Sequence, residues 1–261
     1  MLQKTLTVKI KERAYGPEEL TCQNAPLFPG GGDEGSPSVI SVLDGLESLW
    51  SMESTQPDLS HEEPLDGLIL TLLSQNTNDV NRDRAFNMLK KEFNDWDQVL
   101  KADLEKLRES IKVGGLSNVK SVRIRSIAEQ LNKLFGKPTL LPLKSWSRRE
   151  IEDFLSTLPG IGAKTIACML LFEFSIPAFP VDTHVARICS RVGFVEKGTK
   201  ESLIQKRMEE LIPPSRYLGA HLNMITHGRS ICRARKPLCE QCLINGCCRY
   251  FSALERQKGD F

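Results

Sequence analysis

The sequence predicts an all-α protein, and three observations carry that expectation. Apolar residues recur at helical spacing along nearly all of the chain beyond residue 36. Sustained period-two alternation is absent, apart from a brief TLTVKI near the start. Helix-start residues, Ser36-Pro37, Asp79 and Asp182, stand directly ahead of periodic segments. The 261 residues, 40% hydrophobic and 26% charged, can bury a real core and suit one large domain or two small ones. That composition excludes collagen-like, mucin-like and wholly disordered chains. No run approaches the ~20 apolar residues of a membrane helix.

Residues 14–35 are rich in Gly, Pro and acids and read as part of a flexible leader, 1–36. Ser36 then caps a helix with Pro37 at its first position, and Val39, Leu43, Leu46 and Trp50 form its apolar stripe. Residues 51–64 are a polar connection. LDGLILTLLSQ (65–75) is apolar nearly all round, as a helix in the middle of a bundle must be. Asp79 is the expected cap of a helix reaching about Phe93, followed by helices over 96–110 and 119–135, with Gly114 and Gly115 breaking the chain between them. Pro138, Pro142 and Trp146 fall in a linker. Further helical patterns cover 148–157, 163–174, 183–193, 200–211 and 215–228, and no repeat of solenoid length is present.

Charge and cysteine are both unevenly placed. The formal net charge is only +2, yet residues 17–79 hold 12 acids and no base, while 80–261 hold 31 bases against 20 acids. A basic body of this kind points weakly to a polyanionic partner. Of eight cysteines, Cys232, Cys239, Cys242, Cys247 and Cys248 lie within 17 residues. The N-terminus lacks an apolar signal-peptide core, which argues against a disulfide-stapled secreted domain, and its pattern does not support an organelle transit peptide.

Four constellations carry chemistry. In IEDFLSTLPGIGAKTIACMLLFEFSI (151–176), Ile151, Phe154, Leu155 and Leu158 give one helix a packing face, and Leu158-Pro159-Gly160-Ile161-Gly162 turns the chain into a second, apolar helix. Gly160 and Gly162 expose backbone N–H groups that can hold a phosphate without reading a base. An ordinary αα-turn explains the same residues equally well. Lys164 is the only charge between Gly160 and Phe172. The helix dipole and an apolar surround both favour its free amine, the form a Schiff-base nucleophile needs. A solvent-facing lysine is the bland alternative. Asp182, in Pro180-Val181-Asp182-Thr183-His184, sits where an N-cap belongs, and capping keeps its carboxylate ionised; His184 receives no role. Cys232-x6-Cys239-x2-Cys242-x5-Cys248 has one C-x2-C rather than the two close pairs of most zinc modules, so four thiolates in one run suit a [4Fe-4S] cluster better. The adjacent Cys247 could take the place of Cys248 on these grounds. Cys22, Cys168 and Cys189 read as small buried or loop residues. Arg233, Arg235 and Lys236 occupy the first loop between ligands, which would aim its cations at one surface.

Together, L-P-G-x-G-x-K-T at 158–165, V-D-T-H at 181–184 and the C-x6-C-x2-C-x5-C tail resemble the endonuclease III family of helix-hairpin-helix DNA glycosylases, from about residue 66 to 250. The resemblance implies two helical domains flanking a DNA-binding cleft: a six-helix domain at 66–176 with the hairpin, and a cluster domain combining 37–65 with 177–250, followed by a tail at 251–261. It implies Lys164 as nucleophile, Asp182 as the aspartate that supports base departure, and Cys232, Cys239, Cys242 and Cys248 as ligands of a [4Fe-4S] cluster. The segment Ser74-Gln75-Asn76-Thr77-Asn78-Asp79 corresponds to a loop that fills the gap left by an extruded base, with Asn76 rather than Gln75 aligned on the family glutamine. Gly160, Gly162, Gln75, Asn76, Arg233, Arg235 and Lys236 are the expected DNA contacts.

The implied activity is that of a bifunctional DNA glycosylase and AP lyase acting on oxidised pyrimidines in double-stranded DNA, as a monomer, in the nucleus or an organelle. The same fold acting on a mispaired thymine or a methylated cytosine is a second reading; a non-catalytic iron–sulfur DNA-binding protein is a third. Enzymes that act on a base within a duplex must flip it out, at about a few kcal/mol.

Overall fold

The structure is a computed structural model that describes residues 38–50 and 59–259; the leader, with TLTVKI, Ser36, Pro37 and Cys22, lies outside the described residues. No strand occurs among them. Two compact units emerge, Pro57–Pro180 and a second that joins the first helix to the chain from Val181 onward.

The Pro57–Pro180 unit holds seven α-helices: α2 (Pro64–Leu73), α3 (Asp79–Glu92), α4 (Trp96–Lys101), α5 (Leu104–Ser110), α6 (Ser117–Phe135), α7 (Arg148–Ser156) and α8 (Ala163–Cys168). Its core gathers Leu65, Leu68, Ile69 and Leu72 of α2 with Leu89, Leu107, Ile124, Ile127, Leu131, Ile151 and Leu155. The expected single helix over 96–110 is two, because Asp103 turns its carboxylate onto the N–H of Glu105 and starts α5 afresh. The cap of α3 is Asn78, which accepts from the N–H of Asn81 at 2.9 Å; Asp79 is instead the first helical residue. Trp146, read as linker, packs edge-on against Phe135 and Phe154, with centroids 6.1 and 5.5 Å away.

Polar ties close this unit. Glu63 caps α2 and also accepts from the N–H of Leu140 at 2.9 Å and the hydroxyl of Thr139 at 2.6 Å. His61 donates its N–H to Glu173 and sets Nδ1 2.9 Å from the same carboxylate. Residues 59–65 are thus held to the hairpin-bearing helices, whereas the sequence reading grouped them with 37–50. Helix α8 widens into a π turn over Met169–Glu173, which presses Glu173 against Gly67, where a β-carbon would collide with its carboxylate. Lys120 is 1% exposed and donates to the carbonyls of Leu73 and Gly114 at 2.8 and 2.9 Å.

In the second unit lie α1 (Val39–Trp50), α9 (Thr183–Val192), α10 (Glu201–Leu211), α11 (Tyr217–Ser230) and α12 (Arg249–Gly259). Helix α11 packs against both α1 and α9. Val42, Leu43, Leu46 and Trp50 of α1 are buried, as are Val185, Ile188 and Val192 of α9 and Met224 of α11. Arg216 pairs with Asp44 and Glu47 of α1 at 2.7 and 2.9 Å. Residues 249–259, expected as part of the cluster segment and a tail, form a full helix.

Candidate functional site

The hairpin begins at α7, which Ser147 and Glu150 fix with a reciprocal capping box. Ile161 N–H bonds back to the carbonyl of Leu158, and Gly160 adopts φ +79, the left-handed region that glycine enters without strain. Gly162 is the N-cap of α8, and it and Gly160 are exposed. Half-buried Lys164 stands one residue inside α8, and its amine has no partner among the described residues.

The loop at 74–78 reaches this turn. Gln75 donates Nε2 to the carbonyl of Gly160 at 3.1 Å and accepts at Oε1 from Arg123 at 3.2 Å. Asn76 is exposed, has φ +55, and has no hydrogen-bond partner among the described residues. Leu116, at the start of α6, is also left-handed, with φ +49, and 54% exposed. The sequence reading missed both Arg123 and Leu116. Two glycines ahead of Leu116 were the available signal for a turn residue; nothing local marks Arg123, whose partner lies 48 residues away.

In the second unit, Asp182 is the N-cap of α9. Its Oδ1 accepts from the N–H groups of His184 and Val185 at 2.9 and 2.8 Å, while Oδ2 has no hydrogen-bond partner among the described residues. One carboxylate oxygen therefore holds the helix start, and the other is left for chemistry. His184 sets Nδ1 3.0 Å from Arg187 Nη2; because arginine can only donate, that nitrogen accepts, and the ring proton belongs on Nε2.

Cys232, Cys239, Cys242 and Cys248 line one cavity, partly open to solvent, together with Ile188, Arg191, His227, Ile244 and Tyr250. Cys247 is buried on a short 3-10 turn and does not line it. Burial pushes the Cys242 thiol up to about 12, with the three other thiols adding to the rise; Cys239 is raised by burial and by Cys248 and Cys232, and Cys248 by burial and by Cys232. Thiols raised in this way ionise together only beside a compensating positive charge. Yet among the described residues no three His, Cys, Asp or Glu side chains converge on the position of one ion. Four cysteine thiols lining one cavity are a donor set that fits an iron–sulfur cluster.

Helix α9 organises this pocket through residues the sequence reading passed over. Arg191 donates to Cys232 Sγ at 3.2 Å and to the carbonyls of Arg233 and Ala234 at 2.7 and 3.1 Å, and it stacks 4.7 Å from the Tyr250 ring. Arg187 holds the carbonyls of Cys232 and Gly228 at 3.0 and 2.8 Å. Their i, i+4 spacing opposite the Val185–Ile188–Val192 stripe was the visible sign. His227 lies 3.4 Å by Nε2 from Cys242 Sγ, and burial lowers it to about 4, so the ring is neutral. Arg233, Arg235 and Lys236 are exposed on the loop thus held. Cys189 is buried, its thiol raised to about 12, which suits the inert packing role expected of it; Cys168 is buried too.

Comparison with known proteins gives one consistent result. A family model described as "HhH-GPD superfamily base excision DNA repair protein" matches residues 69–214. Endonuclease III of Sulfolobus acidocaldarius is 33% identical over 186 residues, covering 70% of this chain and 81% of that protein. A non-covalent endonuclease III–DNA complex superposes with TM-score 0.72 at 26% identity, covering 84% of this chain and 97% of the other. A trapped endonuclease III–DNA covalent intermediate gives 0.70 at 27%, covering 82% and 95%.

Proposed function

Since the chain belongs to the HhH-GPD superfamily of base excision DNA repair proteins, as an endonuclease III-like DNA glycosylase, we propose that it is a bifunctional glycosylase and AP lyase in which Lys164 is the nucleophile. The observation that carries this is the Lys164 amine, held at the start of α8 directly behind the hairpin turn and without a partner among the described residues. The amine attacks C1′ of the extruded nucleotide, the C1′–N bond breaks, and the base leaves with its electron pair. The amine nitrogen then loses its proton, the sugar ring opens, and a C1′=N imine forms. Removal of a proton from C2′ drives β-elimination of the 3′ phosphate. Asp182, with one oxygen spent on its cap, offers the other to the positive charge that develops on the sugar and to the proton transfers. A trapped covalent intermediate of a structural neighbour supports this route.

The exposed N–H groups of the hairpin and the cations Arg233, Arg235 and Lys236 would grip the phosphates of double-stranded DNA and offset the cost of extruding the base. Cys232, Cys239, Cys242 and Cys248 would hold a [4Fe-4S] cluster, which would supply a rigid anchor for the loop between the first two ligands. Oxidised pyrimidines in nuclear DNA are the substrate class in this proposal, with the protein acting as a monomer. Borohydride trapping on duplexes carrying one defined lesion each tests it. A covalent adduct is expected with an oxidised pyrimidine and none with Lys164→Ala. An Ala variant that traps as well as the wild type removes Lys164 from the mechanism. Release of mispaired thymine or 5-methylcytosine in preference would replace the substrate.

A further inference from the structure

Two parts of the Pro57–Pro180 unit that the sequence presents as separate DNA contacts are joined by one arginine. Gln75 has both ends of its amide engaged within the protein, Nε2 on the Gly160 carbonyl and Oε1 on Arg123. A side chain consumed in this way stays with the protein when a duplex arrives, which leaves the exposed, unpartnered Asn76 as the loop's projecting group. Arg123 also lies along the hairpin turn itself: a β-carbon at Gly160 would stand 2.7 Å from its Cδ and Nε and 2.9 Å from its Cζ. Helix α6 thus directs two cations three residues apart at the same loop. Lys120 holds the carbonyl of Leu73 at the loop's base, and Arg123 holds Gln75 within it.

We infer that Arg123 is a positioning residue that clamps the 74–78 loop to the 158–162 hairpin turn through Gln75, so that gripping the phosphate and filling the gap behind the flipped base occur as one event. The clamp deepens the glycosylase reading above and rests on it for its consequence. Without the clamp, the hairpin still meets any duplex, but the loop no longer arrives in register with it. The loss therefore falls on recognition of the gapped site rather than on general affinity. A hydrogen bond with a charged donor corresponds to about a tenfold or larger effect on an equilibrium.

The test measures affinity of the full chain for two duplexes, one undamaged and one carrying an uncleavable tetrahydrofuran abasic analogue, alongside amide hydrogen exchange in the DNA-free protein. Arg123→Ala and Gln75→Ala are each expected to weaken binding of the abasic duplex about tenfold and that of the undamaged duplex about twofold or less. The double variant should be no worse than either single one. Exchange should quicken at both 74–78 and 158–162, and Arg123→Lys, which keeps the charge but not the fork, should behave as the Ala variant does. Additive losses in the double variant, or rescue by lysine, would overturn the clamp. So would an Arg123→Ala variant that weakens both duplexes equally with a salt slope lower by about one, the mark of a simple phosphate contact. If the wild type shows no preference for the abasic duplex, the glycosylase reading fails, and the exchange data still decide whether the two segments are coupled.

Discussion

Replacing Lys120 with methionine tests how the loop before α3 is supported. Lys120 is fully buried, and its ammonium donates to two carbonyls, Leu73 at the end of α2 and Gly114 at the end of a 3-10 turn. Methionine fills a similar volume but gives neither carbonyl a donor. An unsatisfied buried acceptor costs about 1–3 kcal/mol, so two cost about 2–6; removing the desolvated charge returns part of that, for an expected net loss of about 2–4 kcal/mol. Urea unfolding followed by tryptophan fluorescence reads the change, with Trp96 and Trp146 reporting on this unit. Burial also holds the Lys120 ammonium below its usual 10.5. Between its folded value and 10.5 the unfolded chain binds more protons than the folded one, so this group makes stability rise with pH across that window. Lys120→Met should lack the rise. A variant within about 0.5 kcal/mol of wild type, with the same pH slope, would refute the reasoning and mean that neither carbonyl depends on the lysine.

Asp182→Asn retains a side-chain acceptor for the α9 cap and should keep stability within about 0.5 kcal/mol. It should lower single-turnover base release about 100-fold or more, and an Asn variant of full activity would reduce Asp182 to a cap. His61 is raised above 6.5, chiefly by its bond to Glu173. Its contribution to stability is therefore complete below 6.5 and lost as pH climbs through the raised value. NMR titration should show Glu173→Gln returning His61 toward 6.5, and an unmoved titration would exclude the pair as the cause. Cys248→Ser should cost the purified protein its iron and visible absorbance while Cys247→Ser keeps both; a colourless wild type carrying zinc would remove the cluster assignment.

What the sequence made legible was local. The LPGIG turn, the Asp182 cap and the cysteine spacing are each written within a few consecutive residues, and the helical fold follows from a periodicity that needs no partner. What it hid was tertiary. Asp103 and Asn78 were visible as capping residues, but an unbroken apolar pattern masked the first and a neighbouring aspartate the second. The π turn at 169–173 has no sequence signature, because it exists to bring Glu173 onto Gly67 and His61. Lys120 and Arg123 look like ordinary charges on the face of a helix. Only the fold reveals that one is buried among carbonyls and the other is spent on an amide 48 residues away.

The same distinction explains how α9 serves the proposed chemistry. Asp182 starts the helix, and Arg187 and Arg191 end it with a grip on the loop between Cys232 and Ala234. The Cys248 thiol in turn bonds the carbonyl of Arg191 at 3.3 Å. Ten residues at about 1.5 Å each make a rod of about 15 Å, with a carboxylate at one end and four thiols around a cavity at the other. Because a helix transmits orientation along its axis far better than a loop does, anything that orders the thiols also fixes the direction in which the free oxygen of Asp182 points. Lys164, in the other unit, owes its placement to the hairpin and to the loop beside it. The two residues proposed for one reaction thus have independent structural supports, and damage to either support should leave the other residue in place.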